Sequence, residues 1–131
     1  MSSNQESGIH FELASVENAE MIADLMHLVQ NASVNKDFYV VSSPSRVKWK
    51  LETNSFAYLA KDGDRTVGFY IFEMPGLDRN ENLGYDINLP DEELKRVLCM
   101  DSVAVLPEYR GQGLQRKMAE MGEEEGLRRG Y

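Results

Sequence analysis

The chain has 131 residues, 42% of them hydrophobic, which suits one domain (residues 1–131) able to bury a sizeable core. A formal net charge of -8 argues against nucleic acid as a partner, since nucleic-acid binders carry a basic face, whereas a cationic partner is easily accommodated. The single cysteine, Cys99, excludes a disulfide framework and a C-x-x-C pair, so no metal is expected, and its apolar neighbours suggest a small buried side chain.

Residues 1–8 are polar and expected to form a flexible tail. They lack the basic start and apolar core of a signal peptide, and no later stretch is long enough to span a bilayer, so no membrane partner and a cytoplasmic setting are expected. Ile9-His-Phe-Glu-Leu13 alternates apolar and polar residues, the pattern of a half-buried strand. Ser15 offers a helix cap with Glu17 in the first turn, and Ala19, Ile22, Ala23, Met26 and Val29 form an apolar stripe that predicts a helix to about Gln30. His27 within it reads as structural. Phe38 and Tyr39 either cover a substrate pocket or pack, and packing is the simpler role. Ser43-Pro44 opens a second helix, through Val47, Trp49, Lys50 and Leu51 to about Thr53.

Phe56–Ala60 and Thr66–Phe72, joined through Asp62-Gly63, form a β-hairpin signal, and Gly68 suggests a bulge or a close backbone approach. Pro75-Gly76 ends the hairpin and a long loop follows to about Glu93. From Glu73 to Glu93 seven acidic residues (Glu73, Asp78, Glu81, Asp86, Asp91, Glu92, Glu93) face one base, Arg79, for a local charge of -6. This is a solvated loop with a short helical turn after Pro90, or a surface that steers a cationic amine. Val97 to Met100 and Val103 to Leu106 are apolar on both alternating faces and predict a central strand covered on both sides, ended by Pro107. Leu114, Met118 and Met121 then recur at helical spacing, and Gly126 and Gly130 bracket the helix end.

Between that strand and helix lies Arg110-Gly-Gln-Gly113. Two glycines can adopt the dihedrals of a phosphate-cradling loop, and the helix start beyond them offers unpaired N–H groups to an anion. The same spacing also occurs in plain strand-to-helix turns. A Walker loop is absent, and G-x-G-x-x-G fails because Arg116 stands at its third glycine. From Leu106 to Met118, Arg110, Arg116 and Lys117 outnumber Glu108, a +2 island in an acidic chain.

The order strand, helix, helix, hairpin, long strand, glycine loop, helix, together with Val103-Ala-Val-Leu-Pro-Glu-Tyr-Arg-Gly-Gln-Gly-Leu114, resembles the GNAT N-acetyltransferase superfamily. Arg110 and Gly113 match its [QR]-x-x-G-x-[GA] motif, and Gln115 stands where the family usually has Gly or Ala. The resemblance implies an α/β (α+β) fold, a mixed, mainly antiparallel sheet flanked by helices in the order β-α-α-β-β-β-α. It implies acetyl-CoA as co-substrate and a small-molecule or peptide primary amine as acceptor. Val103, Ala104 and Val105 would lie along the pantetheine arm, with backbone groups of Val103 and Val105 pairing to it. The N–H groups of Arg110, Gly111, Gln112, Gly113, Leu114 and Gln115 would hold the pyrophosphate, with the Arg110 charge assisting.

GNAT domains normally continue past this helix with a fifth strand and further elements. The chain therefore looks like the N-terminal part of the fold, with an exposed sheet edge beside Met100 to Leu106 that invites homodimeric pairing. The acceptor amine must lose a proton, and Asp101 is the candidate base, with Glu73 behind it; a hydrogen-bonded strand end is the plainer role for Asp101. The rival from another class is a GNAT-like module that binds CoA or a protein without chemistry. A generic nucleotide-binding domain is the weaker third reading.

Overall fold

A computed structural model describes residues 8–32, 42–76 and 88–131. Phe38, Tyr39, most of the polar tail, and Asp78, Arg79, Glu81 and Asp86 of the acidic segment lie outside the described residues. Among the described residues, one four-stranded sheet of order β1-β2-β3-β4, antiparallel throughout, carries the fold. Its strands are β1 (Ile9–Leu13), β2 (Ser55–Asp62), β3 (Arg65–Glu73) and β4 (Cys99–Val105). The helices are α1 (Ala19–Ala32), α2 (Pro44–Thr53), α3 (Asp91–Leu94) and α4 (Leu114–Arg128). Apart from the short α3, this is the order expected for the fold class. No helix among the described residues is long and apolar enough to cross a membrane.

The start of the first helix departs from expectation. The Ser15 N–H donates to Asn18 Oδ1 at 2.8 Å, and this side-chain bond holds Val16–Asn18 in a 3₁₀ turn, so α1 begins only at Ala19. Its apolar stripe (Ala19, Ile22, Ala23, Leu25, Met26, Val29) is buried. The Ser-Pro signal before α2 holds as read: Ser43 Oγ accepts from the Arg46 N–H at 3.2 Å and Pro44 is the first helical residue.

Gly63, at φ +62, turns the β2–β3 hairpin. The register passes from Ala60↔Gly68 to Lys61↔Thr66, leaving Val67 as the extra residue of a bulge. The reading of Gly68 as a close approach is borne out as well: a Cβ there would stand 3.1 Å from the Ala104 carbonyl oxygen and 3.2 Å from Val105 Cγ2.

Alternation along β3 divides the core between two helical layers. Gly68, Tyr70 and Phe72 turn toward α4, where Tyr70 stacks on Phe72 at 4.4 Å and Phe72 on Phe56 of β2 at 5.2 Å. Phe69, Ile71 and Glu73 face the opposite layer, α1 and α2, and all three are buried. Helix α4 lies flat on the aromatic rings because Gly122 presents no side chain to Phe72 and Gly126 none to Leu98. Gly126 and Gly130 bracket the end of α4 as expected, since the helix closes at Arg128 between them.

Three other expectations need correction. Among the described residues β4 is not a central strand covered on both faces but the last of the four in the sheet, exposed over its first half, with Met100 61% accessible. Cys99, at its start, is only half-buried. Glu73 does not belong to a solvated acidic loop; it closes β3 at 4% exposure. Apolar runs read alike in central and edge strands, and hydrogen-bond pairing decides between them. Asp91, Glu92 and Glu93 do open a short helical turn after Pro90, with Glu93 and Leu94 N–H groups donating to the Pro90 carbonyl at 2.9 Å.

Replacing Gly122 with alanine would drive a methyl group into the Phe72 ring. We expect Gly122→Ala to lower stability by about 1–3 kcal/mol, read as a fall of several degrees in Tm; an unchanged Tm would mean that α4 is not seated on the ring.

Candidate active site

β4 ends at Val105, Pro107–Tyr109 forms a 3₁₀ turn, and the chain then reverses into α4 through Arg110 to Gly113. Gly111 (φ +83) and Gly113 (φ +78) both lie in the left-handed region, which side chains disfavour. Nothing stands within 4 Å of where a Cβ would be at either position. The requirement for glycine is thus conformational, and the inner wall of the turn is bare backbone. Gly113 is also the N-cap of the 15-residue α4, whose first intrahelical bond runs from Lys117 N–H to Gly113 O at 3.0 Å. The amides before Lys117 are left without intrahelical partners, and the positive end of the helix faces the turn.

This turn encloses a cavity of about 260 Å³ lined by Val105, Tyr109, Arg110, Gly111, Gly113, Leu114 and Gln115. Arg110 does not simply project into it, since its Nε donates to the Val105 carbonyl at 3.0 Å and splints the base of the loop. That contact also fixes which backbone groups are free. The Val105 carbonyl points away from β3, whereas the next residue, Leu106, donates its N–H to Val67 O of β3 at 2.9 Å. By alternation, Val103 and Val105 direct their backbone polar groups toward the open edge.

A second polar centre lies on the opposite face of the same strand. The register pairs Ile71 with Ser102 and Phe72 with Met100, so Asp101 is the extra residue of a bulge. Its carboxylate reaches Lys50 Nζ of α2 at 3.3 Å, and Lys50 also meets Glu73 at 3.7 Å. Asn54 Nδ2 donates to Glu73 Oε2 at 3.3 Å. Side-chain exposure is 8% for Lys50, 5% for Glu73 and 25% for Asp101, so only the Asp101 carboxylate has appreciable access to solvent.

Residues 22–131 match the acetyltransferase (GNAT) family. The chain belongs to that family. No curated protein sequence matches it. Among solved structures, the GNAT chain is similar to an aminoglycoside acetyltransferase, HMB0005, from an uncultured soil metagenomic sample (TM-score 0.65, 17% identity, covering 93% of this chain and 74% of that one). It is also similar to the ribosomal-protein-alanine N-acetyltransferase of Brucella melitensis biovar Abortus 2308 (TM-score 0.58, 20% identity, 94% and 74% coverage). A third is AAC(6')-Iy in complex with a bisubstrate analogue, CoA-S-monomethyl-acetylneamine (TM-score 0.64, 14% identity, 95% and 75% coverage). At these identities the likeness is one of fold.

On the GNAT scaffold the residues picked out from the sequence fall into two groups. Val105, Arg110, Gly111, Gly113, Leu114 and Gln115 meet at the cavity. Val103 and Ala104 lie further back along β4, and Gln112 belongs to the turn without lining the cavity. Asp101 and Glu73 converge on Lys50. Two residues were missed: Lys50, read only as part of a helix, and Tyr109, read only as part of the motif. The Tyr109 hydroxyl donates to Asp62 Oδ2 at 2.6 Å, and this bond, followed by burial, raises the phenol above its usual 10. For Lys50 a signal existed, because it stands three residues after buried Val47 on the inner face of α2, where an unpaired lysine would be costly.

Removing the Lys50 charge would take the cation from the buried Glu73 carboxylate and from the partly exposed Asp101. We expect Lys50→Met to cost about 3–5 kcal/mol in denaturant unfolding, with Lys50→Arg recovering most of it. A Lys50→Met protein as stable as the parent would show that the ion pairs are not formed.

Proposed function

We propose that the chain is an acetyl-CoA-dependent N-acetyltransferase acting on the primary amine of a small molecule or peptide. The observation that carries this reading is the left-handed Gly111/Gly113 turn at the N-terminus of α4, which walls a cavity with backbone beside the free edge of β4. The residues present fit the donor. N–H groups of Gly111, Gln112, Gly113, Leu114 and Gln115 form an anion cradle of the kind a pyrophosphate takes, whereas the Arg110 N–H is bonded to the Pro107 carbonyl at 3.2 Å. The outward groups of Val103 and the Val105 N–H offer an amide-bearing arm a strand edge to pair with. When bound, acetyl-CoA supplies an acetyl group activated as a thioester.

The chain's own part in the chemistry is to orient the donor and to take a proton. An ammonium is not a nucleophile, so a base must accept a proton from the acceptor amine. Asp101 is the residue we assign, because it stands on a bulge of the strand that would flank the donor and its carboxylate retains access to solvent. Glu73, at 5% side-chain exposure, is set deeper and acts behind it, through Lys50. The incoming amine would compete with the Lys50 ammonium for the Asp101 carboxylate. An acidic chain of net charge -8 favours the approach of such a cation. Structural neighbours named as aminoglycoside and ribosomal-protein-alanine acetyltransferases support an amine acceptor of either size class.

Calorimetry with CoA and acetyl-CoA, followed by thiol release over a panel of amines, tests the proposal. Binding and release with at least one amine are expected, and Asp101→Asn is expected to lower turnover by about 10²-fold or more while leaving CoA affinity in place. Binding without release over the panel would make the chain a CoA-holding module. A folded protein that binds neither ligand would sink the enzyme reading, and unchanged turnover across pH in Asp101→Asn would remove Asp101 as the base.

A further inference from the structure

The donor turn is tied to a part of the chain 47 residues away. Tyr109 closes the 3₁₀ turn after β4, its N–H bonded to the Leu106 carbonyl at 2.9 Å, and it is one of the residues lining the cavity. Its hydroxyl donates to Asp62, the last residue of β2, at the hairpin turn. Next to it, the Arg65 guanidinium stands 5.8 Å from the Tyr109 ring centroid and forms an ion pair with Glu108 at 3.3 Å. The Arg65–Glu108 pair is more than half exposed on both sides and adds little. The Tyr109–Asp62 bond is of another kind, short and made to a charged acceptor, and bonds of that class are about twice as strong as neutral ones.

We propose that Tyr109 and Asp62 are positioning residues, and that their hydrogen bond between hairpin and loop holds the N–H groups of residues 111–115 in the arrangement that receives a pyrophosphate. The proposal rests on the acetyl-CoA reading of this cavity. Two glycines in six residues give the turn its left-handed conformations and also make it costly to order. A loop of that kind binds an anion tightly only if its shape is set before the ligand arrives. Arg110, through the Val105 carbonyl, ties the loop to the strand it has just left. Tyr109 ties the loop's entrance to the turn between β2 and β3, the only other part of the described fold that these bonds reach. The raised phenol agrees with this geometry, because the bond to Asp62 requires the hydroxyl proton.

The test uses Tyr109→Phe, Asp62→Ala and Asp62→Asn in the full chain, the last keeping an acceptor oxygen. Two readouts are taken: hydrogen exchange of the loop amides without ligand, and affinity for CoA against pantetheine, which lacks the pyrophosphate. Tyr109→Phe and Asp62→Ala are expected to speed exchange at residues 111–115 and to weaken CoA binding, each by about tenfold, with pantetheine affinity and exchange in the body of α4 within twofold of the parent. Asp62→Asn is expected to restore most of the loss, and the Tyr109→Phe/Asp62→Ala double variant to be no worse than either single one. Unchanged loop exchange, equal loss for CoA and pantetheine, or additive single effects would each overturn the proposal. If the parent protein bound no CoA, the enzyme reading would fall, while the exchange measurement would still decide whether the clamp exists.

Discussion

At the end of β4 the backbone must reverse and come back across the sheet within a few residues. Gly111 and Gly113 make this possible by taking left-handed dihedrals that a side chain would penalise by about 1–2 kcal/mol each. Much else depends on that reversal. It sets the start of α4, aims the free amides of that helix into the cavity, and returns α4 over the Tyr70, Phe72 and Phe56 rings. Packing keeps the helix there, because Gly122 and Gly126 let its backbone come close to Phe72 and Leu98. The backbone-lined cavity and the seating of α4 on the core are thus two consequences of one turn.

β4 brings a carboxylate into the layer between sheet and α2, and its place at the edge of the described sheet explains how. An edge strand has backbone groups to spare, here those of Val103 and the Val105 N–H, and it tolerates a bulge that would disturb an interior strand. The bulge at Asp101 adds one residue and turns a carboxylate toward α2, where Lys50 and Glu73 complete an ionic group within the apolar layer. Such a group is a poor source of stability, since well-packed apolar side chains often serve a core as well or better. Its position, on the strand whose other edge borders the proposed donor site, gives it a functional rationale that packing alone does not.

Most of the fold was legible in the sequence because the cues are local. The Ser43-Pro44 cap, the Asp62-Gly63 hairpin and the apolar stripe of α1 each depend on neighbours within a few positions, and each element formed where those neighbours placed it. The errors share a cause. The apolar run from Val97 to Leu106 suggested a covered central strand, but whether a strand has one partner or two depends on how the chain is routed, not on its side chains. Glu73 seemed part of an acidic loop by composition, until β3 proved one residue longer and carried it inside against Lys50. Gly126 and Gly130 do bracket the end of α4, but that Gly126 also makes room for Leu98 depends on a residue far off in sequence.

The sequence by itself determined the elements, their order and the glycine turn before α4, because dihedral preference, hydrophobic period and the Arg-Gly-x-Gly spacing are properties of adjacent residues. Only the tertiary structure decided which distant side chains meet. Lys50 joins Asp101 and Glu73, and Tyr109 joins Asp62, across gaps in sequence that no local rule spans. The physical reason is that strand register and helix placement, set by the whole core at once, determine the distances over which a buried charge or a hydroxyl finds its partner.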